Sequence, residues 1–323
     1  MSLMVLAQNE IQQSINMEQA IKIMESAFKE YHENKALTPL RTGISVDKEH
    51  ALMLTMPAYL SQQNALGLKV VSVFPKNRER DKPVITGALL VMNEQTGEPQ
   101  AIMEAGYLTA LRTGAVCGLA TQYLARPDAR HVAIIGSGVQ AMTQLEAVSC
   151  VRTIKRVSIW SRNFENALSF AQKIKSRFEV TCYEQLQDAV SEADIICTAT
   201  SSTEPLLYWS HLKKQVHINA VGSHTPEMRE IANDVLANSI VIVDQMDAAL
   251  KEAGEVVFAL QEDCIQLSDI VELGAVVSGK EHQMNSRTTV FKSVGLAIQD
   301  VSIAHAVYVN ALAKGLGTQV NLM

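Results

Sequence analysis

Residues His131 to Ala141 read HVAIIGSGVQA. An apolar, β-branched run stops at Gly136-Ser137-Gly138-Val139-Gln140-Ala141, a GxGxxA pattern, and a helix-forming stretch follows. The first glycine permits a tight turn, the second lets a pyrophosphate approach the backbone, and Ala141 lets the helix sit close to its strand. The helix N-terminus then meets the phosphate charge. GxGxxA alone is a weak signal, but here it has the strand before it and the helix after it that a dinucleotide site requires.

Outward from this turn the chain alternates short apolar runs with helical stretches. The runs are His131–Gly136, Arg156–Ser161, Glu179–Glu184, Asp194–Thr200, His217–Gly222 and Ser239–Asp244. They mostly lack the polar alternation of a half-exposed strand, as expected of a parallel sheet covered on both faces. Strand and helix in alternation predict a doubly wound α/β domain. The second run ends at Trp160-Ser161-Arg162. An NAD site usually carries Asp or Glu there for the ribose hydroxyls. A hydroxyl and a guanidinium suit a 2′-phosphate, so NADPH is expected to be preferred over NADH.

The first hundred residues read differently. Ala20, Ile21, Met24, Ala27 and Phe28 recur at helical spacing within 17–34. Strand-like pieces follow at Ala51–Tyr59, Ala65–Phe74, Thr86–Asn93 and Pro99–Glu104, with a turn at 93–97. This predicts an α+β region of antiparallel hairpins, with a C-terminal helix over Ser293–Ala313 packed back on it. A helix over Thr109–Ala125 joins the two regions. Its Gly114, Ala115, Gly118 and Ala120 suit either tight helix packing or close approach of a dinucleotide. Met1–Leu3 carries no weight in this reading.

Length and composition agree with two globular domains. The chain has 323 residues, 47% of them apolar and 19% charged, which excludes intrinsic disorder. A net charge of −6 argues against a nucleic-acid partner. No apolar run reaches the ~18 residues of a membrane span. The five cysteines are widely spaced, without a CxxC pair, so no metal site or disulfide framework is expected, and a reducing cytoplasm is.

A hydride-transfer site for a small amino or imino acid needs a guanidinium for the carboxylate, a proton donor or base near the reacting nitrogen, and walls that exclude water. Arg41, Lys69, Arg112 and His224 are the candidates. Lys69 interrupts the apolar strand Gly67–Val71, so it either faces solvent or is held in a site. His224 follows Gly222, at a strand end where doubly wound folds bind ligands.

These residues lie in stretches that resemble the ornithine cyclodeaminase/μ-crystallin family over nearly the whole chain: 67–77 (GLKVVSVFPKN), 97–115 (GEPQAIMEAGYLTALRTGA), 136–141, 217–230 (HINAVGSHTPEMRE) and 291–300 (FKSVGLAIQD). The resemblance implies a homodimer. A Rossmann dinucleotide-binding domain (116–299) would be inserted in an α+β substrate-binding and dimerisation domain (1–115 plus 300–323). It implies that Arg41, Lys69 and Arg112 hold the substrate carboxylate and face the reacting nitrogen, with Lys69 transferring the proton. It implies cofactor contacts at Thr86, Arg112, Val139, Gln140, Thr200 and Val221, and a closing segment at Ser293 and Val294.

In the family's cyclodeaminases the loop after the fifth strand reads Gly-Gly-Asp-x-Pro, and its Asp is catalytic. Here Gly222-Ser223-His224-Thr225-Pro226 puts His224 at that position. A neutral imidazole does not hold the second amine of ornithine, and the loop resembles that of the family's imine reductases. His224 as a mere loop cap is the plainer alternative. The expected reaction is NAD(P)H-dependent reduction of a cyclic imino acid, Δ1-pyrroline-2-carboxylate to L-proline. The alternatives are ornithine cyclodeamination, an open-chain activity such as alanine dehydrogenase, and a non-catalytic NADPH-binding protein.

Overall fold

In the computed structural model, which describes residues 2–279 and 286–321, the chain divides into two units. One holds the residues up to Arg112 and those from Leu296 onward, and the other holds Thr113–Gly295. Met1, 280–285 and 322–323 of the expected spans lie outside the described residues.

The first unit begins with β1 (Ser2–Leu6), α1 (Gln8–Ser14) and α2 (Met17–His32). Asn16 and Gln19 cap α2 reciprocally: each side-chain oxygen accepts the other's backbone N–H, at 2.9 and 3.0 Å. The five apolar residues of the helical repeat are all buried. Next come β2 (Ala36–Leu37), β3 (Thr42–Val46), β4 (Ala51–Leu60), β5 (Ala65–Val73), β6 (Ile85–Met92) and β7 (Pro99–Glu104). β4 to β7 form an antiparallel meander, as the hairpin reading predicts. Ser2–Leu6, whose first two residues carry no weight in the sequence analysis, is a strand parallel to β7. α3 (Ala105–Leu124) starts four residues earlier than predicted, because the Glu104 carboxylate accepts the N–H groups of Gly106 and Tyr107.

The second unit carries β8 (His131–Ile135), α4 (Val139–Val151), β9 (Arg156–Trp160), α5 (Phe164–Ile174), β10 (Glu179–Cys182), α6 (Leu186–Val190), β11 (Ile195–Thr198), β12 (His217–Ala220), α7 (Asn233–Ala237), β13 (Ile240–Val243), α8 (Met246–Glu252), α9 (Gly254–Gln261), β14 (Ile270–Glu272), α10 (Leu273–Val277) and β15 (Thr289–Lys292). Its sheet is parallel throughout, in the order β10-β9-β8-β11-β12-β15-β13-β14. β8, β11, β12 and β15 are buried at every residue, whereas edge strand β10 alternates. That contrast is why the central runs read as unbroken apolar sequence. The chain leaves β8 towards β9 and β10, then returns to β11 on the other side. The crevice for a ligand therefore opens at the C-terminal ends of β8 and β11.

The chain ends in the first unit with α11 (Ala297–Lys314) and β16 (Thr318–Asn321), and β16 pairs antiparallel with β1. α11 packs on β4, β5 and α2, which is the predicted return of the C-terminal helix. It starts at Ala297, not Ser293. The buried Asp244 carboxylate captures Ser293 Oγ and the N–H groups of Val294 and Gly295, and Gly295 adopts φ +87°. These bonds hold 293–295 out of helical geometry.

Candidate active site

In the first unit the key position is Gly67. A Cβ there would meet Leu90 O at 2.7 Å and Val301 at 3.3 Å, so its absence lets α11 lie directly on β5. Lys69 points to the same face two residues on. It pairs across the sheet with Met56 and Leu89, both buried. Its side chain is 2% exposed, and its ammonium lies 2.7 Å from Asp300 Oδ2. The other oxygen of Asp300 accepts Arg112 Nε at 3.0 Å. Arg112 Nη1 also donates to Gln299 Oε1, at 2.8 Å. One buried carboxylate in the first turn of α11 thus joins a strand lysine to an arginine of α3.

Burial pushes Lys69 down to about 8, against the pull of Asp300; Arg112 and Arg41 add to the lowering. A lysine near 8 exchanges a proton close to neutral pH, as a general acid–base group must. The two readings of Lys69 left open by the sequence resolve in favour of the buried face. Arg41 is half-buried and acts on Lys69 by charge, and Thr86 is exposed on β6 opposite Ser72.

In the second unit the Gly-rich turn fits a dinucleotide. Gly136 has φ +114°, and a Cβ there would stand 2.5 Å from Ala199 O. Gly138 differs, because a Cβ would meet nothing within 4 Å. The protein itself makes no steric demand for glycine at 138; close approach of a ligand to the backbone would. Gly138 is also the N-cap of α4 and supplies no side chain to its first-turn N–H groups. Val139 is 69% exposed beside the turn, Ala141 is buried under α4, and the buried Gln140 Oε1 has no hydrogen-bond partner. Ser137 Oγ lies 3.1 Å from Ser161 Oγ, tying the turn to the end of β9, and Arg162 beyond it is exposed. Gly114 serves packing: a Cβ would be 2.6 Å from Thr143 O of α4.

The loops after β11 and β12 are fastened from beneath. Glu230 is wholly buried and accepts from Thr198 Oγ1 (2.7 Å), Thr200 N (2.6 Å) and Gly222 N (2.7 Å). Burial pushes its carboxyl above the usual range, against Lys292 and the donors around it. Glu255 accepts the Glu230 N–H and the Ser223 hydroxyl. Lys292 Nζ donates to Ser223 O at 2.6 Å. Val221 N–H reaches Thr198 O at 3.3 Å. His224 is exposed on this loop, with Nδ1 3.1 Å from Gly222 O.

The structure thus brings Lys69 and Arg112 together in the first unit. In the second it gathers Gly136 to Ala141, Ser161, Thr200, Val221, Ser293 and Val294 around the C-terminal strand ends. Sequence reasoning missed Asp300, Glu230, Glu255 and Lys292. The argument applied to Lys69, a charge inside an apolar run, also marks Lys292 in Thr289–Lys292 and Asp300 in 297–304. Among the described residues no group of three or more His, Cys, Asp or Glu could hold a metal ion, and no helix is long and apolar enough to cross a membrane.

Comparison with known proteins agrees with this geometry. A Δ1-pyrroline-2-carboxylate reductase of Bacillus cereus (strain ATCC 10987 / NRS 248) is 39% identical over 324 residues, covering 98% of this chain and 99% of that protein. The solved structure of Thermococcus litoralis Δ1-pyrroline-2-carboxylate reductase in complex with NADH and L-proline superposes with a TM-score of 0.95 at 37% identity, covering 98% of this chain and 100% of that one. An archaeal alanine dehydrogenase dimer with bound NAD superposes at 0.94 with 32% identity over the whole of both chains. The model of the ornithine cyclodeaminase/mu-crystallin family matches residues 1–315, and the chain belongs to that family.

Proposed function

We propose that the chain reduces Δ1-pyrroline-2-carboxylate to L-proline with NAD(P)H. It is an oxidoreductase acting on a C–N bond. The observation that carries the substrate reading is the buried Lys69–Asp300–Arg112 cluster: two cations on one carboxylate, with Arg41 adding a third positive charge. The excess positive charge attracts a substrate carboxylate, and a lysine poised near 8 serves its nitrogen. Relatives that name this reaction cover 98% of the chain.

Residues Gly136 to Ala141 with Thr200, Val221 and Ser293 would hold the dinucleotide, and reduced nicotinamide supplies the hydride for the imine carbon. Arg112 and Arg41 hold the carboxylate, with Val294 beside the substrate. Lys69 holds its proton at Nζ and delivers it to the ring nitrogen as C=N becomes C–N. Orientation by such a clamp is worth up to ~7–11 kcal/mol of barrier in ideal cases. His224 brings no carboxylate to a second amine, which argues against ornithine. The finer cofactor proposal is that NADPH binds at least as tightly as NADH, supported by Ser161-Arg162 where an acidic residue would select NAD.

The assembly is proposed as a homodimer formed through the first unit. Leu37, Ile44 and Ile85 stand 66%, 54% and 45% exposed on β2, β3 and β6, and an archaeal relative is a dimer. Light scattering at micromolar concentration tests it, and a monomer refutes it. The reaction is tested by following NAD(P)H loss with pyrroline-2-carboxylate, piperideine-2-carboxylate, and pyruvate plus ammonia, alongside ornithine deamination. Turnover on the five-membered imine is expected to lead the panel; proline and ammonia from ornithine would replace the reading.

A further inference from the structure

We propose that Asp300 is the positioning residue of the cationic cluster: one carboxylate oxygen orients Lys69, the other orients Arg112, and its charge keeps the Lys69 proton available for transfer. This rests on the reading of the site given above.

Three facts place the residue in that role. Asp300 is 1% exposed, and the two charged side chains that it meets are those assigned to the substrate's nitrogen and carboxylate. It sits in the first turn of an 18-residue helix, where aligned peptide dipoles favour a negative charge. Its neighbour Gln299 takes Arg112 Nη1, so adjacent residues of one turn fix two sides of the same guanidinium. The packing of α11 on Gly67 sets where that turn lies along β5. One rigid contact thus sets the spacing between the proton donor and the carboxylate clamp.

Charge balance gives the second half of the role. The charged groups that act on the Lys69 ammonium are Asp300 from α11, Arg112 from α3 and Arg41 ahead of β3. Two repel its positive charge, burial opposes it, and Asp300 alone favours it. Without that carboxylate, Lys69 would be neutral at the pH where it must donate.

The test titrates Lys69 in protein labelled with ¹³C at lysine Cε, its resonance assigned by its loss in Lys69→Arg. No substrate is present, so the result does not depend on which imine is reduced. In Asp300→Asn the Lys69 midpoint should fall by ~1–3 pH units, the usual effect of removing a close opposite charge. With pyrroline-2-carboxylate, kcat should drop ~3–200-fold at pH 7.5, the loss of charged Lys69 that such a fall implies, and recover at lower pH, as a donor lost to deprotonation would. A folded Asp300→Asn whose Lys69 midpoint matches wild type overturns the proposal. If Asp300→Asn does not fold, Asp300→Glu serves. It should keep the midpoint near wild type yet raise KM and lower kcat, because its longer arm displaces both cations. An Asp300→Glu enzyme with wild-type kcat and KM also overturns the proposal. Failure of the imine panel with an intact midpoint shift would refute the substrate alone.

Discussion

Reduction of the imine and oxidation of L-proline should show opposite pH dependences with one shared inflection. The perturbation is pH itself, and the structural cause is the 2%-exposed Lys69, held at about 8 by burial against Asp300. Reduction needs Lys69 charged, so its rate is constant below the inflection and falls above it. Oxidation needs Lys69 neutral, to accept the proton from the amine, so its rate rises through the inflection and levels above it. With a midpoint near 8, about 90% of Lys69 is charged at pH 7 and about 1% at pH 10, so reduction loses ~100-fold across that range. An ordinary lysine would lose only about 30%. Initial rates in both directions from about pH 6 to 10, divided by those of Lys69→Ala, cancel the ionisation of the substrates. Lys69→Ala itself should be ~10²–10⁴ slower, the range for general acid–base groups. A ratio flat through pH 10, or two directions moving in the same sense, would refute the role.

Arg162→Ala should weaken NADPH more than NADH, by ~1–3 kcal/mol for a lost charge-assisted bond; equal losses by calorimetry would clear Arg162 of the 2′-phosphate. His224→Ala should lower imine reduction only modestly, whereas His224→Asp should raise ornithine affinity without installing full cyclodeamination; an unchanged ornithine Kd would count against the loop argument. Gly138→Ala should fold normally, because its Cβ meets no protein atom, and bind dinucleotide poorly by calorimetry, because the added methyl keeps the pyrophosphate from the backbone. Gly136→Ala should cost at least ~1–3 kcal/mol in stability by denaturant melts, from its positive φ and the Ala199 carbonyl. Burial pushes His217 down to about 3. Its folded value lies below the unfolded one, so the stability of the neutral form is complete above pH ~6.5 and is lost as pH falls towards 3, by ~4–5 kcal/mol. A variant with Gln at 217 should lack that component in acid melts.

The second unit was legible because its central strands are buried on both faces, so sequence and burial coincide. The Gly-rich turn carried its meaning in eleven residues. The short strands 270–272 and 289–292 escaped notice: each is three or four residues long and has little periodicity to show. The start of α3 was hidden because its cap is Glu104, a residue type outside the usual N-cap set. Lys69 was visible as a charge in an apolar strand, but its environment was not, since its counter-charge lies far along the chain. Glu230 lies within one of the matching stretches, yet its three donors come from the C-terminal end of β11 and the loops after β11 and β12, which only the sheet order makes neighbours.

The Arg112–Asp300 bond spans 188 residues of sequence, and the whole of the second unit is encoded between its ends. Synthesis from the N-terminus therefore delivers Lys69 and Arg112 long before their counter-charge. Until α11 emerges, the first sheet lacks both its covering helix and the anion that makes two buried cations tolerable. The contiguous second unit has its full sequence earlier and can fold first. A chain interrupted before residue 300 should accordingly contain an ordered second unit and an unfinished first unit. The Lys69–Asp300–Arg112 cluster is therefore assembled only after the whole of the second unit has been synthesised.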